Sequence, residues 1–109
     1  MQIRVTARRF DLSEEIKSFA LDEAARLEKF YDGIIDGDVV LGWQKKDRLA
    51  EINIKVYGKM LTAHARTEEM HKSIVEAVDK LERQLRKYKE KMQDFSHETI
   101  RNRAESMEE

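Results

Sequence analysis

Cysteine and proline are both absent from this 109-residue chain. Without cysteine there is no disulfide framework and no thiolate metal site, which fits a reducing compartment. Without proline, no fixed break interrupts a helix or an inner strand. Glycine occurs four times, the last at Gly58, so nothing beyond that point ends a helix on its own. Long apolar runs are missing too. No segment approaches the ~20 apolar residues of a membrane span, and the opening Met-Gln-Ile-Arg-Val-Thr has no apolar stretch of signal-peptide length. The expectation is a cytoplasmic protein with no membrane partner. A strong charge of one sign is also lacking. Charged residues make up 39% of the chain, yet the formal net charge is −1, which argues against a generic polyanion binder.

The distribution of that charge is uneven. Residues 1–78 carry 13 Lys/Arg and 14 Asp/Glu, whereas residues 79–91 carry six basic side chains against three acidic ones. Residues 92–109 reverse the sign, with two basic and five acidic. Screening over about 8 Å at physiological salt lets such patches act locally, so the near-neutral total hides a basic block followed by an acidic tail.

The length suits one domain, with roughly 65% of the unfolded surface buried. Ile3, Val5 and Ala7 alternate with polar neighbours, which predicts a half-buried strand over residues 2–8. Ser13 is placed to cap a helix, with Glu14 and Glu15 in its first turn. Ile16, Phe19, Ala20, Ala24, Leu27 and Tyr31 recur at helical spacing, so this helix runs to about residue 30, with Gly33 suited to a left-handed cap. Strands follow near residues 35–44 and around Ala50, Ile52, Ile54 and Val56, then a turn at Gly58-Lys59 and a strand through Leu61, Ala63 and Ala65. Thr67 caps a second helix with Glu68 and Glu69 in its first turn, spanning about 68–92. Residues 93–109 lack a sustained apolar stripe and read as a frayed helix or disordered tail. The expected fold is α+β: a two-layer βαβββα sandwich with a four-stranded mixed sheet and both helices on one face. The first two strands pair in parallel and the others form an antiparallel meander. Residues 1–92 form the domain, and 93–109 an acidic, flexible tail.

On a helical wheel, His71, Ile74, Val78, Leu81, Leu85, Tyr88 and Met92 share one arc of the second helix, the core face. Lys80, Arg83, Gln84, Lys87 and Lys91 share an arc on the far side that holds no carboxylate between residues 80 and 91. That row spans roughly 17 Å. Cations at helical spacing suit a run of phosphates, with arginine supplying a planar fork and lysine a point charge. A Lys/Arg-rich face is more often simply a solvated surface, and mixed signs are the usual mark of that.

Other chemistry is sparse. Trp43, Phe10, Phe30 and Tyr31 read as core residues rather than ligand platforms. Tyr57, on the polar side of its strand, suits either base stacking or cross-strand packing. His64, His71 and His97 are too isolated for a metal site, and there is no Gly-rich phosphate loop, nucleophile elbow or metal-binding His pair. No catalytic residue, cofactor or small-molecule substrate is expected, and the chain does not read as an enzyme.

The run Asp79-Lys80-Leu81-Glu82-Arg83-Gln84-Leu85-Arg86-Lys87-Tyr88-Lys89-Glu90-Lys91 strongly resembles the ribosome hibernation promoting factor family, whose second helix carries D-K-L-x-R-Q-L-x-K-x-K. The likeness extends through Glu69-Met70, the hairpin from Gly58 to Ala65, and Ser13 to Glu28, covering roughly residues 1–92. The resemblance implies a fold similar to double-stranded RNA-binding domains. It also implies binding to the small ribosomal subunit (16S rRNA) and the 70S ribosome, in the channel for messenger RNA and the A- and P-site transfer RNAs, where occupancy blocks translation. Carried over, it implies that Lys80, Arg83, Lys87 and Lys91 contact rRNA phosphates, that Arg86 and Lys89 flank them, and that Arg26 and Lys29 add cations from the first helix. Two departures stand out. His71 occupies a position where the family often has an aromatic, and the acidic ending Glu-Ser-Met-Glu-Glu is most similar to inhibitor-type members, while a longer member cut at its linker would look much the same. Two alternatives stay open on the residues alone: an RNA binder without ribosome specificity, and a protein-interaction module.

Overall fold

The computed structural model describes residues 2–104, with side chains as far as Lys91. The element order is β1 (Gln2–Arg8), α1 (Glu14–Phe30), β2 (Asp36–Gln44), β3 (Asp47–Val56), β4 (Lys59–Thr67) and α2 (Met70–Ala104). The sheet order is β1-β2-β3-β4, with β1 and β2 parallel and the remaining pairs antiparallel. This is the expected βαβββα sandwich.

Period-two alternation sets the register. Val5, Val39, Ile52 and Ala63 lie side by side across the four strands, as do Ala7, Leu41, Ala50 and Ala65. These rows face the helices. A slip of one residue would turn every one of them to water. The opposite face carries Arg4, Asp38, Asn53 and Thr62 in one row and Arg8, Gly42, Leu49 and Arg66 in another.

Ser13 caps α1 as expected, its Oγ accepting from the Ile16 N–H at 3.1 Å. Helix α1 buries Ala20, Ala24 and Leu27, and the two alanines let it lie close to its neighbours. Its end departs from expectation. The capping residue is Tyr31 in extended conformation, with its N–H on the Leu27 carbonyl at 2.9 Å, and Gly33 is not left-handed. Gly33 serves space instead, because a Cβ there would meet the Tyr31 ring at 2.5 Å. The β3–β4 turn is also displaced by one residue from Gly58-Lys59. Tyr57 and Gly58 form it, Val56 pairs with Lys59, and Gly58 takes φ +74°, a conformation that glycine adopts without steric cost.

Helix α2 begins at Met70, two residues later than expected, with no acid in its first turn. Thr67 does not cap it. Its Oγ1 accepts from the Glu69 N–H at 3.1 Å, in the tight turn that leads into the helix, and the Glu69 carbonyl accepts the Ser73 N–H. The helix also continues past residue 92 to Ala104. The expected tail over 93–109 is therefore helical in backbone to 104, and its remainder, 105–109, lies outside the described residues, as does the Met92 side chain. Ile74, Val78, Leu81 and Leu85 are fully buried, which contributes roughly 6–12 kcal/mol before entropic costs. His71 is the exception on the expected core arc. Half-exposed, it sets its ring edge-on against Phe19 at 4.5 Å and its Nε2 3.2 Å from Glu15, bracing α2 on the start of α1.

One buried polar side chain ties α2 to the sheet. Ser73 Oγ donates to the Arg48 carbonyl at 2.6 Å and accepts from the Thr67 N–H at 3.1 Å. Further along, the Tyr88 hydroxyl donates to the Tyr57 carbonyl at 2.8 Å and pins the β3–β4 turn to the helix. Burial, reinforced by Tyr31, raises the Tyr88 phenol above its usual value.

Ser73→Ala strands both backbone groups and is expected to lower unfolding free energy by about 1–3 kcal/mol, read from urea denaturation. The raised Tyr88 value means that the folded state holds this proton more tightly than the unfolded chain. Its contribution is thus complete below the ordinary tyrosine range and lost as pH rises through the raised value. Thermal unfolding between pH 9 and 11 should show a decline that is shallower in Tyr88→Phe, which has no proton there to lose.

Candidate nucleic-acid interface

Strand β4 is an edge of the sheet, and its outward carbonyls need partners. Helix α2 runs back alongside it and supplies two. Lys80 Nζ donates to the His64 carbonyl at 2.9 Å, and Gln84 Nε2 donates to the Thr62 carbonyl at 2.6 Å. Two members of the expected row thus have a structural task, since they cover the strand edge and fix the rotation of α2 about its own axis.

That rotation decides where the other cations point. Arg83, Lys87 and Lys91 are exposed and form no ion pair among the described residues. Spaced four residues apart, they make one row of about 12 Å. Lys80 stands at its end, tethered to β4 but exposed to water. Among the described residues no carboxylate pairs with any of the four, as the wheel predicts.

Arg86 and Lys89 face another way, toward the end of α1. The Arg86 guanidinium lies 5.5 Å from the Phe30 ring centroid and 3.8 Å from Glu82. Lys89 Nζ lies 5.4 Å from the same ring and 3.5 Å from the Phe30 carbonyl. Both brace the seam between the helices. Cation–ring contacts of this kind contribute about 0.5–1 kcal/mol at exposed sites.

Arg26 is compensated. It bonds Glu23 at 2.7 Å and has Glu82 at 3.6 Å and Asp79 at 3.8 Å. The Glu23 hydrogen bond, with the charges of Glu23, Asp79 and Glu82 behind it, raises its pKa. A guanidinium among three carboxylates offers little net field to a phosphate. Lys29, in the last turn of α1, is exposed and makes no ion pair among the described residues. The eight cations singled out in the sequence therefore divide into a free row, a group at the helix seam, Lys29 beside that seam, and one neutralised residue.

The aromatic residues also separate. Trp43 is not a core residue. It is 44% exposed, stacked on Phe10 with centroids 4.9 Å apart, and covered on one side by Arg48 at 4.2 Å. Alternation along β2 points it to the helix side, where Phe10 and Arg48 give it partial cover. Arg9 and Lys45, at φ +68° and +56°, flank this stack in the loops after β1 and β2. Tyr57 sits in the turn rather than on a strand face and is 79% exposed. Phe30 and Tyr31 do pack against the core. No three His, Asp or Glu side chains among the described residues are grouped so as to hold a metal ion, and no described helix is long and apolar enough to cross a membrane.

A four-stranded sheet edged by a basic helix defines a small α+β class of protein. The particular family follows from comparison: residues 3–93 match the model of the sigma 54 modulation protein / S30EA ribosomal protein family, and the chain belongs to that family. It is 30% identical over 95 residues to the ribosome hibernation promoting factor of Pseudomonas putida, covering 87% of this chain and 93% of that one. It is 32% identical over 92 residues to the protein of the same name from Escherichia coli, covering 84% and 97%. Among solved structures, it matches a ribosomal subunit interface protein from Coxiella burnetii at TM-score 0.77 and 27% identity, over 82% of this chain and 98% of that one. The N-terminal domain of Protein Y from Thermus thermophilus matches at TM-score 0.75 and 27% identity, over 81% and 99%.

The division of labour on α2 can be measured. Gln84→Ala leaves the Thr62 carbonyl without its partner and is expected to cost about 1 kcal/mol. Arg83→Ala, one residue away but free in water, should change stability by no more than about 0.5 kcal/mol. Equal losses in chemical denaturation would contradict this assignment.

Proposed function

We propose that this protein binds the small ribosomal subunit and holds ribosomes inactive by occupying the channel for messenger RNA and the A- and P-site transfer RNAs. The observation that carries the reading is the free row of Arg83, Lys87 and Lys91, with Lys80 at its end, on a helix fixed to the sheet by buried side chains and by the edge contacts of Lys80 and Gln84. Membership of the family and the names of its relatives supply the ribosome as the target. In this reading residues 1–92 are the ribosome-binding domain and 93–109 an acidic tail whose first part continues α2 to Ala104. The protein works by occupancy in the cytoplasm, without a catalytic step.

A-form RNA hides its major-groove edges, so a rigid element that reads its shape does so through phosphates and 2′-hydroxyls. Phosphate contact through the row positions the protein without base readout. Arg86, Lys89 and Lys29 form a second line of rRNA contacts at the helix seam. Arg26 contributes least, because its charge is already matched.

If four side chains each neutralise one phosphate, the log–log dependence of affinity on salt has a slope of about −3 to −4. Arg83→Ala with Lys87→Ala should halve that slope. Arg83→Glu with Lys87→Glu should abolish co-sedimentation with 30S and 70S particles while circular dichroism stays unchanged. A general RNA binder would instead be displaced from ribosomes by excess duplex RNA. A protein-interaction module would keep its partner after the double charge reversal, and that result would sink the proposal.

A further inference from the structure

The outer face of the sheet has no helix over it, and it is not uniform. At the β1 start and β2 start the charges pair internally, with Arg4 bonded to Asp38 at 2.9 Å. At the other end the surface opens into a groove of about 500 Å³, a size typical of small-ligand sites. Its apolar floor is Val40 and Leu49, with Gly42 between them. Arg8 and Arg66 stand on opposite sides in the same cross-strand row, and Lys80 closes the corner where α2 meets β4.

Three features give this groove a chemistry. First, the opening exists because Gly42 has no side chain. A Cβ there would meet only Leu49, at 4.0 Å, and the backbone is ordinary strand, so neither packing nor conformation demands glycine. Second, exposed cations stand on its rim, with Arg66 and Lys80 tethered in place. Arg8 makes no ion pair among the described residues. Arg66 is held in place by Gln44 Oε1 at 2.7 Å and Asp47 at 3.4 Å, yet its side chain is 56% exposed. Third, polar groups border the floor. Glu51, steadied by Asn53 Nδ2 at 2.9 Å, and His64 lie across from one another on β3 and β4. An apolar floor, flanking guanidinium planes and hydrogen-bonding groups at the margin match a planar heterocycle carrying a phosphate. β1 and β4 stand about 14 Å apart at this level, room for one base flat on the floor with its phosphate at Arg8 or at Arg66 and Lys80. A second copy of this chain fits poorly, since a two-fold contact would bring the same cations together.

We infer that the outer-face groove over Val40, Gly42 and Leu49 is a nucleotide site, sharing with the α2 row only Lys80, that takes a single nucleoside monophosphate unit between Arg8 and the Arg66–Lys80 corner. The unit comes either from a free mononucleotide or from an unpaired nucleotide in an RNA strand. The inference needs only the free protein and does not depend on the ribosome reading.

The test is an NMR titration of the full chain with adenosine 5′-monophosphate, and separately with the trinucleotide r(AAA). Saturable shifts at the Val40 and Leu49 methyls and the Gly42 amide are expected with at least one probe. Saturation by the mononucleotide at equal or lower concentration identifies a free nucleotide as the source, and a preference for the trinucleotide identifies an RNA strand. Gly42→Val fills the floor with a strand-favouring residue and should weaken binding at least tenfold with the fold intact. Arg8→Glu should weaken it severalfold. Arg83→Ala with Lys87→Ala, which puts no carboxylate beside Lys80, should change it less than twofold, so that failure here and failure of ribosome binding are separate results. No saturable shift with either probe up to 10 mM overturns the inference (an upper limit on the order of the weakest useful affinities). So does wild-type binding by Gly42→Val, and so does an identical response to inorganic phosphate, which would mark a bare anion site.

Discussion

Helix α2 is seated on the sheet by Ile74, Val78, Leu81 and Leu85 and then fastened to the free edge of β4 by Lys80 and Gln84. Apolar burial supplies most of the binding energy between the layers, but it is non-directional and tolerates some rotation. The edge carbonyls of Thr62 and His64 remove that freedom, because each accepts from one specific side chain. Ser73 performs the same service at the start of the helix through the Arg48 carbonyl. This orientation decides which cations face water.

The orientation sorts charge by function. On the water side, Arg83, Lys87 and Lys91 form no ion pair among the described residues. On the α1 side, carboxylates and Phe30 absorb the charge of Arg26, Arg86 and Lys89 into the packing of the two helices. A protein with net charge −1 can therefore present a locally cationic row, because Glu23, Asp79 and Glu82 lie toward Arg26 and Arg86 and not toward that row. The separation matters at physiological salt, where fields from more than about 8 Å away are largely screened.

The two surfaces differ in shape and chemistry. The α2 row is convex, polar and regularly spaced, which suits the proposed contact with an RNA backbone. The outer-face groove is concave, apolar at its floor and bordered by cations with Glu51 and His64 between them, which suits the proposed single nucleotide unit. Lys80 touches both, bonded to the His64 carbonyl and lining the groove's corner. RNA following the helix row toward its Lys80 end would arrive at the groove, so the sites are contiguous without sharing their main contacts.

Period-two and period-3.6 patterns were enough to place all six elements, the core face of α2 and the free cationic row, because those features depend on burial of alternate or every third-to-fourth residue. Chain-local chemistry also gave the Ser13 cap. Tertiary structure decided the rest. Arg26 looks like any helix-surface arginine until Asp79 and Glu82 arrive from a helix some fifty residues away. Gly33 reads as a left-handed cap until the Tyr31 ring folds over it, and Trp43 reads as core until it proves half-exposed, with Phe10 and Arg48 as its cover. The outer-face groove joins residues from all four strands and α2, and no spacing along the chain records it. Periodicity encodes which side of an element is buried. Which foreign side chain lies opposite, and where a missing one leaves a cavity, is set only when the elements pack.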